Sequence, residues 1–185
     1  MYNQRKAAQV AAHFIVMAGG QLNVLKLTKL LYLADRTMLD QFEYSLTGDN
    51  LVSMPHGPVL SQTLDCTKGR FEKIPDGWEN WIAPPAHHNV TLARTTPLRD
   101  DLDLLSDAEI EVIDAVWVQY GHMDKYSIRN FTHDNCPEWE DPKKSSLPIP
   151  YKQLFTALGR SPEDADAAAQ RLKEQFAVAR AIASR

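Results

Sequence analysis

Polar side chains suited to molecular recognition recur along one face of a helix predicted near residue 30. Thr28, Tyr32 and Asp35 follow one another at spacings of four and three residues, which places them together on one helical face. Lys29 and Arg36 flank that face. Because hydroxyl, carboxylate and cationic groups together offer hydrogen-bond donors and acceptors, we expect this face to form a polar surface at the edge of the core.

A rigid segment after this helix adds a histidine to the same region. Met54 is followed by Pro55-His56-Gly57-Pro58, in which two prolines fix the backbone φ and Gly57 permits a turn that larger residues resist. His56 can present a donor, an acceptor or, near neutral pH, a charge. Six residues of the two segments are therefore predicted to bind a partner. They are Lys29, Tyr32, Asp35, Arg36, Met54 and His56.

A structural interpretation of these residues stays open beside the functional one. Tyr32 would then pack at the edge of the core, and Asp35 would pair with a nearby base or bind the backbone of the Pro-Gly segment. His56 would secure that segment by a hydrogen bond. Most polar constellations of this kind stabilise a fold and bind no ligand.

The other reactive side chains lack the spacing of a catalytic or metal site. His87 and His88 are adjacent and would point to opposite faces of a strand, and the six histidines match no zinc-enzyme pattern. Cys66 and Cys136 lie far apart, so we expect two reduced thiols. The serines and glycines form neither a nucleophile elbow nor a phosphate loop. The sequence therefore predicts neither an enzyme nor a bound cofactor or metal.

Hydrophobic periodicity predicts the elements that position these residues, namely a mostly α, compact multi-helix domain. A small β-hairpin or short sheet is expected around residues 70–100, where prolines separate short β-friendly pieces. Pro58 is expected to begin a helix, since proline suits the first helical turn, and Ser106 forms a capping box with Glu109. Helices are predicted over residues 4–18, 23–42, 58–68, 106–120, 124–132, 150–158 and from Ser161 onward.

Domain organisation and location follow from the length and composition of the chain. Residues 1–160 are expected to form one domain, and residues 161–185 an amphipathic helix packed on it. The net charge of −4 argues against a general nucleic-acid binder, because phosphate contacts need a clustered positive surface. No apolar run reaches the roughly 20 residues of a membrane span, and the N-terminus lacks a signal-peptide pattern. We therefore expect a cytoplasmic protein with no membrane partner.

Several blocks of the chain resemble the Panacea domain family, which includes the SocA-type antitoxins and many phage-associated proteins. The blocks are residues 26–35, Thr47-Gly48-Asp49, residues 54–59, the helix from Ser106 to Tyr120-Gly121, and Thr132-His133 with Pro137 and Trp139. Together they extend the resemblance over roughly residues 5–160, which is most of the chain. The proline-rich excursion at residues 78–93 and the helix after Ser161 depart from the family pattern.

The resemblance implies an antitoxin-like protein that neutralises a cognate protein toxin, encoded nearby, by direct protein–protein binding. In the SocA branch the domain also delivers its toxin to a bacterial protease. A proteolytic adaptor that docks its protease through the tail near Arg185 is therefore an alternative. Two further alternatives are a DNA-binding autoregulator that uses the basic residues of the second helix, and an enzyme that uses Asp35, His56 and His133.

Overall fold

The computed structural model describes residues 1–183, which form mainly α-helices and two small antiparallel sheets. The mostly α fold class is therefore confirmed. The helices are α1 (Gln4–Met17), α2 (Val24–Phe42), α3 (Ser61–Thr67), α4 (Trp78–Trp81), α5 (Asp107–Tyr120), α6 (Lys125–Asn135), α7 (Tyr151–Ala157) and α8 (Pro162–Ala183). The strands are β1 (Gln21–Asn23), β2 (Leu51–Met54), β3 (Gly57–Leu60), β4 (Asn89–Thr91) and β5 (Leu147–Pro148).

Helix α2 lies at the centre of the fold. Asn23 caps its start, as predicted, by accepting a hydrogen bond from the backbone N–H of Leu25 at 3.0 Å. Helices α1, α5 and α6 and strand β3 pack around it. Its buried apolar side chains, which include Leu27, Leu30 and Ala34, fix the helix within the core. Neighbouring elements therefore cover several faces of α2.

The Pro-Gly segment forms a β-hairpin and does not start a helix. Strands β2 and β3 pair antiparallel, with Met54 opposite Gly57 and a two-residue turn between them. The prediction of a helix from Pro58 is wrong, because proline also fits an edge strand such as β3. Helix α3 begins at Ser61, where the carboxylate of Asp49 accepts hydrogen bonds from free backbone N–H groups of the first turn.

The segment around residues 70–100 contains the expected β-hairpin. Ile82 and Leu92 form an antiparallel bridge, and β4 also pairs with β1. His87 and His88 form the turn, with φ values of 49° and 62°, and so do not lie on a strand. The second sheet is formed by β3, β2 and β5 and lies outside residues 70–100.

Local capping signals place the helices that follow. Ser106 and Glu109 form the predicted capping box of α5, and Gly121 lies at the end of that helix. Asp124 caps α6 by accepting hydrogen bonds from two backbone N–H groups. Among residues 1–183 no helix is both long and apolar enough to cross a membrane.

Helix α8 packs on α7 through the first half of its length. Ala165, Ala168 and Leu172 are buried there, as their spacing predicts. Farther along, the exposed fraction of Ile182 rises to 68%, so the apolar face of this helix is not covered over its full length. Arg185, near which a protease-docking role is predicted, lies outside the described residues.

Candidate protein-interaction site

The carboxylate of Asp35 is fully buried and binds the loop that follows helix α2. It accepts hydrogen bonds from the backbone N–H groups of Leu46 at 3.1 Å and Thr47 at 3.3 Å, and from the hydroxyl groups of Thr47 at 2.7 Å and Ser45 at 3.3 Å. Burial raises the pKa of Asp35 to about 6, although these hydrogen bonds act to lower it. Asp35 therefore positions this loop and does not reach the surface.

Tyr32 and Arg36 both bind Glu138, which lies about a hundred residues further along the chain. The Tyr32 hydroxyl donates to Glu138 Oε1 at 2.6 Å, and Arg36 Nε donates to the same oxygen at 2.7 Å. Glu138 is completely buried, whereas the Arg36 side chain is 20% exposed. Burial and the adjacent Glu138 hold the pKa of Tyr32 well above its usual value, so the phenol remains a donor. These bonds join α2 to the segment after α6.

Lys29 is completely buried beneath the β2–β3 hairpin. Its Nζ donates to the carbonyl oxygen of Pro58 at 2.8 Å, and burial lowers the pKa of Lys29 to about 7. Gly57 packs against the same amine with a φ of +95°, and a Cβ there would lie 2.8 Å from Nζ. That Cβ would also lie 2.9 Å from Thr132 Oγ1 and 2.9 Å from His133 Cδ2. Glycine is therefore required at this position of the hairpin.

The hairpin tip, defined as Met54 to Gly57, is held from a second side by Trp139. Trp139 Nε1 donates to the carbonyl oxygen of Met54 at 2.9 Å, and its ring stacks on His133 with ring centres 4.1 Å apart. Burial and the nearby Lys29 lower the pKa of His133. His56 is exposed at the tip, and Met54 is partly exposed.

The structure divides the six predicted residues into an interior set and a surface set. The expectation that the polar face of α2 reaches the surface is wrong at Lys29, Tyr32 and Asp35, because the hairpin, the 45–47 loop and the segment after α6 cover it. Their hydrogen bonds hold those covering segments in place. The surface set is Arg36, Met54 and His56.

Glu138 was missed by sequence reasoning although it is the shared partner of two predicted residues. Its hydrogen bonds to α2 join residues more than one hundred positions apart, so no local sequence pattern predicts them. The available signal was the Pro137 and Trp139 element, which flanks Glu138 directly. The structure thus adds Glu138, Gly57 and Trp139 to the residues that shape this site.

The geometry also bears on the two other uses considered for these residues. Asp35 binds the 45–47 loop, whereas His56 and His133 lie at the hairpin, so their contacts involve different parts of the chain. Lys29 is buried, and Lys26 Nζ donates to the carbonyl oxygen of Gly121 at 2.6 Å, so both lysines of α2 bind within the fold.

Together the fold and the site define a mostly α domain whose central helix holds an exposed β-hairpin tip through buried polar contacts. A family model described as "Antitoxin SocA-like, Panacea domain" matches residues 27–140. The chain belongs to this family. The match contains most of α2, the β2–β3 hairpin and Glu138, and it ends before helix α8 begins. No curated protein and no solved structure matches the chain.

Proposed function

We propose that this protein is a cytoplasmic antitoxin that neutralises a cognate protein toxin, encoded nearby, by direct binding. Membership of the antitoxin SocA-like family supports the antitoxin role. The observation that carries the proposed binding surface is the hairpin tip, because it exposes His56 while Trp139 binds its backbone at Met54 and Lys29 binds the adjacent Pro58. The half-buried Met54 belongs to this tip, and we add the half-buried Arg36 to the proposed surface.

A tip held in this way suits tight protein recognition. A surface that is already ordered loses little conformational entropy on binding, so more of the contact energy appears as affinity. Stable protein complexes bury about 1,600 Å² in total, yet a few central residues supply most of the binding energy. We therefore assign direct contacts to Met54 and His56. Lys29, Tyr32 and Asp35 act indirectly by holding the segments around them.

Co-expression with the product of the neighbouring gene tests the antitoxin role. Induction of that product alone is expected to arrest growth, and simultaneous expression of this protein is expected to restore it. The two proteins are also expected to co-purify as a complex, since the proposed mechanism is direct binding. A neighbouring product that is harmless, or that stays toxic beside this protein, contradicts the proposal.

The exposed end of helix α8 favours a second candidate, a proteolytic adaptor that delivers the toxin to a protease. Val178 and Ile182 are 60% and 68% exposed on this helix, which lies outside the family match. The test is the half-life of the toxin in cells with the wild-type protein and with a Val178→Ala, Ile182→Ala variant. Relative to cells that lack this protein, an adaptor shortens the half-life of the toxin only when α8 is intact. A half-life in both strains equal to that in cells without this protein excludes the role.

A further inference from the structure

Helix α6 carries two cations and an exposed tyrosine near its start. Lys125 and Arg129 are four residues apart, so their side chains lie on the same face of the helix. Lys125 Nζ and the guanidinium carbon of Arg129 lie 5.0 Å and 5.5 Å from the centre of the Tyr126 ring, which is within cation–π range. The Tyr126 side chain is 54% exposed. We call these three residues the basic stripe.

The two cations of the basic stripe have no acidic partner within the fold. Among residues 1–183 neither Lys125 nor Arg129 forms an ion pair with a carboxylate. Arg129 instead donates from Nε and Nη2 to Oδ1 of Asn130, at 3.1 Å and 2.8 Å. The neighbouring Asp124 accepts hydrogen bonds from two backbone N–H groups of the first turn. The positive charge of the stripe is therefore available to an external partner.

The basic stripe leads towards the hairpin tip. His133 lies four residues beyond Arg129 on α6 and packs against the tip, where a Cβ on Gly57 would lie 2.9 Å from His133 Cδ2. Burial, the ammonium of Lys29 and the guanidinium of Arg129 lower the pKa of His133. The positive charge of Arg129 therefore acts as far as the tip, and a single partner can cover both features.

We propose that the basic stripe binds an acidic segment of the protein partner, beside the contact that the hairpin tip makes. This inference rests on the proposed function, since the toxin is the partner assigned to the tip. Carboxylates provide the charged acceptors that Lys125 and Arg129 lack within the fold, and tyrosine and arginine often dominate the energy of protein interfaces. A protein partner is favoured because binding to nucleic acid relies on many phosphate contacts, whereas the stripe supplies two cations on a chain of net charge −4.

Synthetic peptides test the chemistry of the stripe in the absence of the toxin. Hexaglutamate and hexaglutamine have the same length and differ in charge. When each is titrated into ¹⁵N-labelled protein at low ionic strength, we expect hexaglutamate to shift the amide signals of Lys125, Tyr126 and Arg129 saturably and hexaglutamine to leave them unchanged. Absence of saturable shifts with hexaglutamate, or an equal response to both peptides, overturns the proposal.

A pair of double variants separates the stripe from the net charge of the protein. Lys125→Gln, Arg129→Gln removes both cations of the stripe, and Lys73→Gln, Lys173→Gln removes the same charge from exposed positions outside α6 and the hairpin. We expect the stripe variant to bind hexaglutamate at least about five-fold more weakly and the control to stay within about two-fold of the wild type, because salt screens distant charges. Equal weakening in both variants contradicts a site at the stripe.

The same titration with hexathymidylate distinguishes an acidic protein segment from single-stranded nucleic acid. We expect hexathymidylate to bind more weakly than hexaglutamate, because Lys125 and Arg129 lie over the Tyr126 ring and leave less of its face for a base to stack on. Tighter binding of hexathymidylate at these residues would assign the stripe to nucleic acid and overturn the proposal.

The association rate of the toxin complex tests the stripe within the proposed function. Exposed interface charges act mainly on the association rate and on its salt dependence. The stripe variant is expected to associate about ten-fold more slowly than the wild type at low ionic strength, with a smaller difference at high salt, and the control variant is expected to match the wild type. A toxin that binds the stripe variant as fast as the wild type overturns this inference and leaves the antitoxin role standing. A harmless neighbouring product contradicts the antitoxin role, and the hexaglutamate titration then decides the inference alone.

Discussion

At the scale of single residues, the buried polar side chains of helix α2 are the link between fold and surface. Each of them binds a different covering segment. Lys29 binds the β2–β3 hairpin, Tyr32 binds Glu138 in the segment after α6, and Asp35 binds the 45–47 loop after α2. Buried polar groups of this kind are costly when one partner is removed, because the remaining group is left unpaired. Each is therefore expected to specify where its segment lies.

The buried amine of Lys29 predicts a pH dependence of folding stability. The unfolded chain keeps this amine charged up to a pKa near 10.5, whereas the folded protein holds it charged only below about 7. Between these values the unfolded state binds more protons than the folded state, so the free energy of unfolding rises as pH increases. This stabilising contribution of Lys29 is lost as pH falls from 10.5 to 7. The expected rise is about 2 kcal/mol between pH 7 and pH 9.

Urea unfolding of a Lys29→Met variant at pH 7, 8 and 9 measures this contribution. The gain in stability of the wild type over the variant is expected to grow across the series, because methionine has no proton to lose. The exposed Lys144→Met is the matched control and should follow the wild type. A Lys29→Met variant whose pH dependence equals that of the wild type would show that the amine is not desolvated as described.

The packing around Gly57 predicts an unusually large cost for a single added methyl group. Gly57→Ala places a Cβ against Lys29, Thr132 and His133 and also strains a left-handed backbone. Gly159→Ala is the matched control, since its φ is +89° but no atom lies within 4 Å of the added Cβ. We expect Gly159→Ala to cost about 1 kcal/mol and Gly57→Ala about 2–4 kcal/mol in chemical denaturation. Equal costs would contradict the tight packing of the hairpin on α2.

The predictions from sequence succeeded where a residue acts on its near neighbours. Asn23 and Ser106 were identified as caps because a cap bonds to backbone groups two or three residues away. The burial of Lys29 was not foreseen, and the structural interpretation placed Asp35 on a base or on the Pro-Gly segment, whereas it binds the 45–47 loop. The segments that cover both residues are set by the tertiary fold. A lysine beside leucines is expected at the surface. Only the tertiary structure shows that the carbonyl oxygen of Pro58 accepts a hydrogen bond from Lys29 in the interior.

At the scale of elements, the longer helices were predictable, whereas helix α4 and the β2–β3 hairpin were not. Helical periodicity and capping signals located α1, α2, α5 and α6 to within a few residues. Pro58 was wrongly predicted to begin a helix, because the same fixed φ suits a helix start and an edge strand. The choice depends on strand pairing with residues 51–54, which is a tertiary contact.

Helix α8 offers a prediction about where its packing ends. Leu172 is fully buried, so Leu172→Ala is expected to cost about 2–4 kcal/mol of unfolding free energy. Ile182 is 68% exposed, and Ile182→Ala is expected to change the stability by less than about 0.5 kcal/mol. Thermal or urea unfolding of the two variants provides the comparison. A large loss of stability in Ile182→Ala would mean that the end of this helix is buried.

At the scale of the whole molecule, two distant parts of the chain meet to hold one exposed feature. Residues 29–57 supply the helix and the hairpin, and residues 132–139 cover them through Thr132, Glu138 and Trp139. Both parts fall within the family match. The whole of α1 and the whole of α8 lie outside it.

The central claim, that the hairpin tip contacts the toxin, is tested most directly by the affinity of the complex. Isothermal titration calorimetry would compare the wild type with His56→Ala, and with His122→Ala as an exposed histidine away from the tip. We expect His56→Ala to weaken binding at least about ten-fold, a loss of about 1.4 kcal/mol, and His122→Ala to bind like the wild type. Wild-type affinity in His56→Ala, and also in a Met54→Ala, His56→Ala double variant, would contradict the claim.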